Sequence, residues 1–202
     1  MKAFRWAILS VCVAASAAVL GGCGNALEDG SEPSGSYIRV VSVTPNPATA
    51  FTPDMYVGIC DPTAEPPDYE PGLTNSYAQV QMLNQSMPNT PEGQSSNSFV
   101  TMSRFRVDFV GINKSVSLPS LDSGGHSVGL APDGTGTMLV LVMDLPTIEY
   151  IKSHYPTVGV TEGLTLRAQI TIWGKDAFQA DVKTEPPAET TLVIENYDRC
   201  AD

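Results

Sequence analysis

Basic residues are few: eleven lysines and arginines stand against twenty-two aspartates and glutamates in 202 residues, a formal charge of −11 at pH 7. That deficit speaks against nucleic acid and anionic headgroups as partners, since both are bound by basic patches that replace counterions. It is compatible with a cation ligand and with plain solubility. Histidine is scarcer still. His126 and His154 lie far apart, and neither a His-Glu-x-x-His nor a Cys-x-x-Cys spacing occurs, which argues against a zinc site. No serine sits in a Gly-x-Ser-x-Gly turn, so Asp122-Ser123-Gly124-Gly125-His126 reads as a loop and not as a piece of a triad. Pro132-Asp133-Gly134-Thr135-Gly136 lacks the lysine and the following helix of a phosphate loop and reads as a turn. The expectation is a noncatalytic protein with no cofactor. After the first twenty residues no apolar run approaches the eighteen needed to span a bilayer; the longest, Met138 to Met143, has six.

What is present begins with an address. Lys2 and Arg5 precede an apolar and small-residue run from Trp6 to Leu20, the charged and apolar regions of a secretory leader. Fifteen residues are too short to cross a membrane comfortably. The run ends in Leu20-Gly21-Gly22-Cys23, which resembles the lipobox of bacterial lipoproteins. An ordinary cleaved leader with an accidental cysteine is the alternative. The resemblance implies cleavage before Cys23, lipid on that cysteine and a membrane held through the anchor. Residue 24 is glycine; the resemblance associates inner-membrane retention with aspartate there, so the expected site is the cell envelope, outer membrane before inner. Each buried methylene of an acyl chain contributes about 0.8 kcal/mol, and two or more chains hold stably. Cleavage removes Lys2 and Arg5 and no acid, taking the charge from −11 to −13.

Of four cysteines, Cys12 leaves with the leader and Cys23 takes the lipid, so Cys60 and Cys200 remain in an oxidising compartment. A Cys60–Cys200 disulfide is the expectation, worth about 4 to 5 kcal/mol in the chain-entropy model. Unpaired or intermolecular thiols are the alternative.

Residues 23–36 are small, polar and proline-interrupted, as in a flexible spacer. Residues 37–202 then suffice for one domain with a real core. Strand signals dominate it. Ile38 to Thr44 and Asp54 to Cys60 are candidates, and Arg104 to Phe109 puts Phe105, Val107 and Phe109 on one face. Thr137 to Met143 has no polar face and reads as a central strand covered on both sides. Leu164 to Trp173 alternates, turns at Gly174-Lys175-Asp176, and returns through Phe178, Ala180 and Val182. Thr190 to Tyr197 supplies the last strand. Pro146 to His154 is the single helical candidate, ended by Pro156. These elements predict an all-β, immunoglobulin-like sandwich with one short helix in a connection and long proline-rich loops at 61–72 and 84–98. The tryptophan–disulfide signature of true immunoglobulin domains is absent.

The C-terminal half, in Phe105-Arg106-Val107-Asp108-Phe109, Val116-Ser117-Leu118-Pro119, the stretch near Pro146 and Ile170-Thr171-Ile172-Trp173-Gly174-Lys175-Asp176, resembles uncharacterised deltaproteobacterial-type β-sandwich lipoproteins. It departs from them where Ala177-Phe178 replaces Ala-Gly. The resemblance implies a fold and an address and supplies no activity. Among ligands, the acids Asp61, Glu65, Asp68 and Glu70 offer hard oxygens to calcium, without the regular order of a calcium loop; solvated surface charge is the simpler reading. Tyr69, Tyr77 and Trp173 could stack on a sugar or a partner, or pack at sheet edges. The expected role is a protein-interaction or structural module with an envelope protein as partner; a small-ligand, carbohydrate or calcium binder is the alternative.

Overall fold

Two-residue alternation of apolar and polar side chains places most of the described residues in strands. The computed structural model describes residues 35–46, 53–56, 59–61, 63–66, 68–69, 73–87 and 97–196. The leader, Cys23, nearly all of the spacer, Glu70 and Cys200 lie outside the described residues. In chain order the elements are β1 (Ser36–Pro45), β2 (Ile59–Asp61), β3 (Asp68–Tyr69), β4 (Ser76–Ser86), β5 (Val100–Gly111), β6 (Leu121–Leu130), β7 (Thr135–Met143), α1 (Leu145–His154), β8 (Leu164–Asp176), β9 (Asp181–Lys183) and β10 (Ala188–Ile194).

Two antiparallel sheets pack together as a β-sandwich. One has the order β1-β4-β7; the other has the order β10-β8-β5-β6, with β9 also on β8; β2 and β3 form a separate ribbon. Ala78, Val80 and Met82 of β4 and Met138, Val140 and Val142 of β7 face Phe105 and Val107 of β5 and Leu166, Ile170 and Ile172 of β8 across one core. Each such side chain contributes roughly 1.5 to 3 kcal/mol when taken fully out of water. The helix begins where the Asp144 carboxylate accepts the Thr147 N–H at 2.9 Å, carries Pro146 in its first turn and Lys152 and His154 in its last, all favoured at those ends. Ile148 and Ile151 bury its inner side. Among the described residues no helix is long and apolar enough to cross a membrane.

Several expectations are corrected. Asp54 to Tyr56 do not belong to a strand, Asp54 forming an isolated bridge to Glu195, and β2 is Ile59–Asp61; residues 57 and 58 lie outside the described residues. Thr137 to Met143 is a strand but an edge one, since β7 ends its sheet, and only one of its faces is fully covered, Leu139 and Leu141 being half-buried on the face away from the core. The turn expected at 174–176 falls later, since β8 continues through Asp176 and Phe178 sits 82% exposed in the turn, not on the core face. The run 122–126 is strand and not loop: it belongs to β6, where Gly125, His126 and Ser127 oppose the single residue Ser103 of β5. That bulge kinks an edge strand, one of the ways sheets avoid pairing with strangers. Asn84, read as the start of an exposed loop, is completely buried in β4.

Asn84 also joins the two sheets. Its Nδ2 donates to the carbonyls of Ser98 at 2.7 Å, Leu130 at 3.3 Å and Ala131 at 3.2 Å, and its N–H donates to Gly134 O at 3.0 Å. On the far side of the sandwich a second seam closes the sheets. Between β9 and β10 the chain leaves β8: Thr184 N–H and Oγ1 still bond Ile172, while Thr184 bridges Ile38 and Glu185 N–H donates to Ile38 O at 3.1 Å.

The registers give the sandwich two ends. Ser36, Ser86, Val100, Leu130, Thr135 and Asp176 lie at the entry end, where the described chain begins. Gly111, Leu121, Met143, Leu164 and Ile194 lie at the opposite end with α1.

Candidate functional site

At the helix-bearing end the β5–β6 connection meets the α1–β8 connection. Asn113 substitutes for a strand residue: its Nδ2 donates to Gly163 O at 2.8 Å and its Oδ1 accepts Thr165 N–H at 2.9 Å, extending the ladder closed by Ile112 N–H to Thr165 O at 2.8 Å. Lys114 Nζ then reaches Thr157 Oγ1 at 3.0 Å and the Glu162 carboxylate, to which Thr157 Oγ1 also donates. Further along, Ser117 N–H donates to Tyr155 OH at 2.8 Å. Three N–H groups, of Val160, Thr161 and Glu162, converge on Thr157 O. Two connections separated by some 45 residues are thereby fixed to each other with little freedom left in either.

This frame presents apolar side chains to water. Ile112 is 52% and Val160 66% exposed. Shallow depressions flank them, one of about 350 Å³ along Gly159–Gly163, Glu195 and Asn196, the other of about 380 Å³ along Phe109–Val116.

Hydrogen bonds from Lys114 and then Thr157 hold the Glu162 carboxyl below the ordinary carboxylate range. A depressed folded-state pKa means that the tie is present above the ordinary range and is lost as pH falls through the folded value. Lys114→Ala should therefore raise the Glu162 pKa toward that of a free glutamate, which carbon-detected NMR titration reads directly. An unmoved pKa would show that Lys114 does not hold the carboxylate. On the open face of the larger sheet, burial pushes Asp108 up, but the hydrogen bonds from Ser120 (2.5 Å) and Arg106 (2.9 Å) outweigh it and hold Asp108 low as well.

The residues singled out from sequence are dispersed. Asp61 and Asp68 are register partners in the β2–β3 ribbon and Glu65 is exposed in its turn; Glu70 lies outside the described residues. Among the described residues no three His, Cys, Asp or Glu side chains are placed to share a metal ion. His126 is exposed on the β6 bulge, and His154 stacks on Tyr150 at 3.9 Å at the end of α1. Cys60 is half-buried in β2 and is not a free thiol; Cys200 lies outside the described residues. Trp173 lies half-buried on the open face of the larger sheet with the Arg104 guanidinium 5.4 Å from its ring centre, and Tyr77 is half-buried.

Sequence reasoning missed two exposed aromatic residues. Phe178, at 82%, and Phe99, at 51%, both belong to the entry end. Ala177 N–H donates to Ser98 Oγ at 3.4 Å, which sets the β8–β9 turn beside the lead-in to β5. The buried Asp176 builds that turn by accepting Phe178 N–H at 2.8 Å and Ala180 N–H at 2.9 Å. The available signal was the aspartate two residues before Phe178, a turn former that bonds its own downstream backbone.

No protein-family model matches the sequence, and no curated protein matches it significantly.

Proposed function

We propose that the chain is a secreted lipoprotein of the bacterial envelope, anchored through Cys23, whose sandwich carries a noncatalytic surface for protein contact at the helix-bearing end. The observation that carries the surface is the frame around Asn113, Lys114, Thr157 and Glu162: its hydrogen bonds tie the two connections to each other and leave Ile112 and Val160 outward. Preformed loops lose little conformational freedom on binding, so apolar side chains held on them are favourable contact points. The anchor reading rests on the leader and on Leu20-Gly21-Gly22-Cys23.

The finer fold reading is immunoglobulin-like. Its support is the succession of strands: β4 passes to β5 in the other sheet, β6 returns to β7, and the chain crosses again through α1 to β8, the kind of Greek-key crossing found in that class. The Cys60–Cys200 bridge is part of the same proposal and joins the β2 region to the end of the chain.

Crosslinking in the native envelope tests the function. The acylated protein should give a defined adduct that is lost with Ile112→Asp and Val160→Asp combined and lost with Cys23→Ser. An adduct that survives the paired aspartates would overturn the surface, and a Cys23→Ser chain that stays in the membrane fraction would overturn the anchor.

A further inference from the structure

The exposed aromatic residues and the point of chain entry share one end of the sandwich. The described chain starts at Gly35 and enters β1 at Ser36, whose Oγ accepts the Ser98 N–H at 3.1 Å. Ser98 in turn precedes Phe99 and accepts the Ala177 N–H at 3.4 Å, one residue before Phe178. Phe99 lies across the outward side of Gly129, where a Cβ would sit 2.5 Å from the ring's Cζ. Phe178 is held out by a turn whose conformation is set by the buried Asp176 carboxylate and by Lys175 Nζ donating to Gln179 O at 3.2 Å. An accidental side chain in a loose loop would not need such a mount.

We infer that this end rests on the lipid surface, with Phe178 and Phe99 seated at the level of the headgroups. The inference rests on the proposed anchor at Cys23. Residues 24–35 span at most about 40 Å when extended, so Ser36 is held within that distance of the anchor. A twelve-residue strand such as β5 spans about 40 Å, which carries Ile112 and Val160 away from it. Aromatic side chains with an apolar body are favourable at a membrane interface. Charge agrees with this orientation. Near the entry end Lys175 pairs with Asp181 and Lys183 with Glu185, both at 3.1 Å, while Arg39 on β1 and Asp133 in the β6–β7 turn are both exposed. The helix-bearing end carries Asp54, Asp144, Glu149, Glu162 and Glu195 against Lys114, Lys152 and Arg167, and an anionic leaflet repels such an end.

The test uses acylated protein from the full-length chain, bound to vesicles of phosphatidylethanolamine with a minor fraction of phosphatidylglycerol. A nitroxide is attached at Ala177→Cys, which keeps Phe178, or at Val160→Cys as the distal comparison. The label at 177 should collide with a water-soluble nickel chelate about threefold less than the label at 160, as expected for a site at headgroup depth. Adding Phe99→Ser and Phe178→Ser should abolish the difference. Equal collision rates at 177 and 160 on protein that is vesicle-bound would overturn the orientation. So would a difference that persists without either phenylalanine, since the residues named would then not be its cause. Protein whose mass shows no acyl chain and which floats free of the vesicles would instead refute the anchor.

Discussion

Asn84→Asp should lower the folding free energy by about 3 kcal/mol at pH 7.5, the scale expected when a buried polar link is replaced by an unpaired charge. The substitution keeps the shape of the side chain and exchanges the donating Nδ2 for oxygen. That oxygen would face the carbonyls of Ser98, Leu130 and Ala131 at the distances where the amide now donates. Nor does the other oxygen help, since Asn84 Oδ1 is buried with no hydrogen-bond partner among the described residues. Burial and three carbonyl oxygens both disfavour the anion, so the new carboxyl at position 84 would titrate above the ordinary range in the folded protein. A raised folded-state pKa gives a contribution present below the unfolded pKa and lost as pH rises through the folded value. The deficit against the parent protein should therefore be smaller at pH 4 than at pH 7.5. Urea unfolding of both proteins at both pH values measures it. A deficit under about 1 kcal/mol at pH 7.5 would mean that the amide is not holding the sheets together.

Gly174→Ala should be comparably damaging, for a steric reason. Gly174 pairs with Met102 of β5 and Val182 of β9, and a Cβ there would overlap the Thr101 carbonyl oxygen and lie 2.7 Å from Met102 Cα. Both neighbours are backbone in a strand paired on both sides, so neither can swing aside as a side chain would. The cost should reach about 3 kcal/mol, against a gain of roughly 0.5 to 1 kcal/mol from removing a strand glycine. For a domain of this size the net effect corresponds to a fall in Tm of about 5 to 10 °C. Gly124→Ala is the control, because its Cβ would meet only Ser103 O at 3.7 Å. Equal melting temperatures for the two variants would remove the steric argument.

Much of the sandwich is visible in the sequence where one face of a strand is apolar and the other charged. Phe105 and Val107 alternate with Arg104 and Arg106, and Leu166 to Ile172 alternate with Arg167 to Thr171; both strands form as expected. The helix is equally plain from Pro146, from Ile148 and Ile151 three apart, and from Pro156. β4 is hidden because its outward positions are Gln79, Gln81 and Gln85 and because Asn84 turns inward; a buried amide cannot be told from an exposed one by composition. β6 is hidden because Gly124, Gly125 and Gly129 imitate a loop, whereas one glycine belongs to a bulge and another makes room for the Phe99 ring. The loop frame had no local signature at all. Lys114 and Glu162 are 48 residues apart, and only the packing of β5 beside β8 brings them together.

The seam between Ile38 and Thr184–Glu185 also has a mechanical side. Were the chain anchored as proposed and held at its far end, the pull would run along its strands and enter at Ser36. Nine register pairs between β1 and β4 then resist together in sliding, since none can open before its neighbours. At the third of these pairs the bond from Glu185 N–H to Ile38 O passes part of the pull directly to the other sheet. Tension is thus divided between both layers within three residues of where it arrives, and the edge strand is not peeled away from one sheet alone.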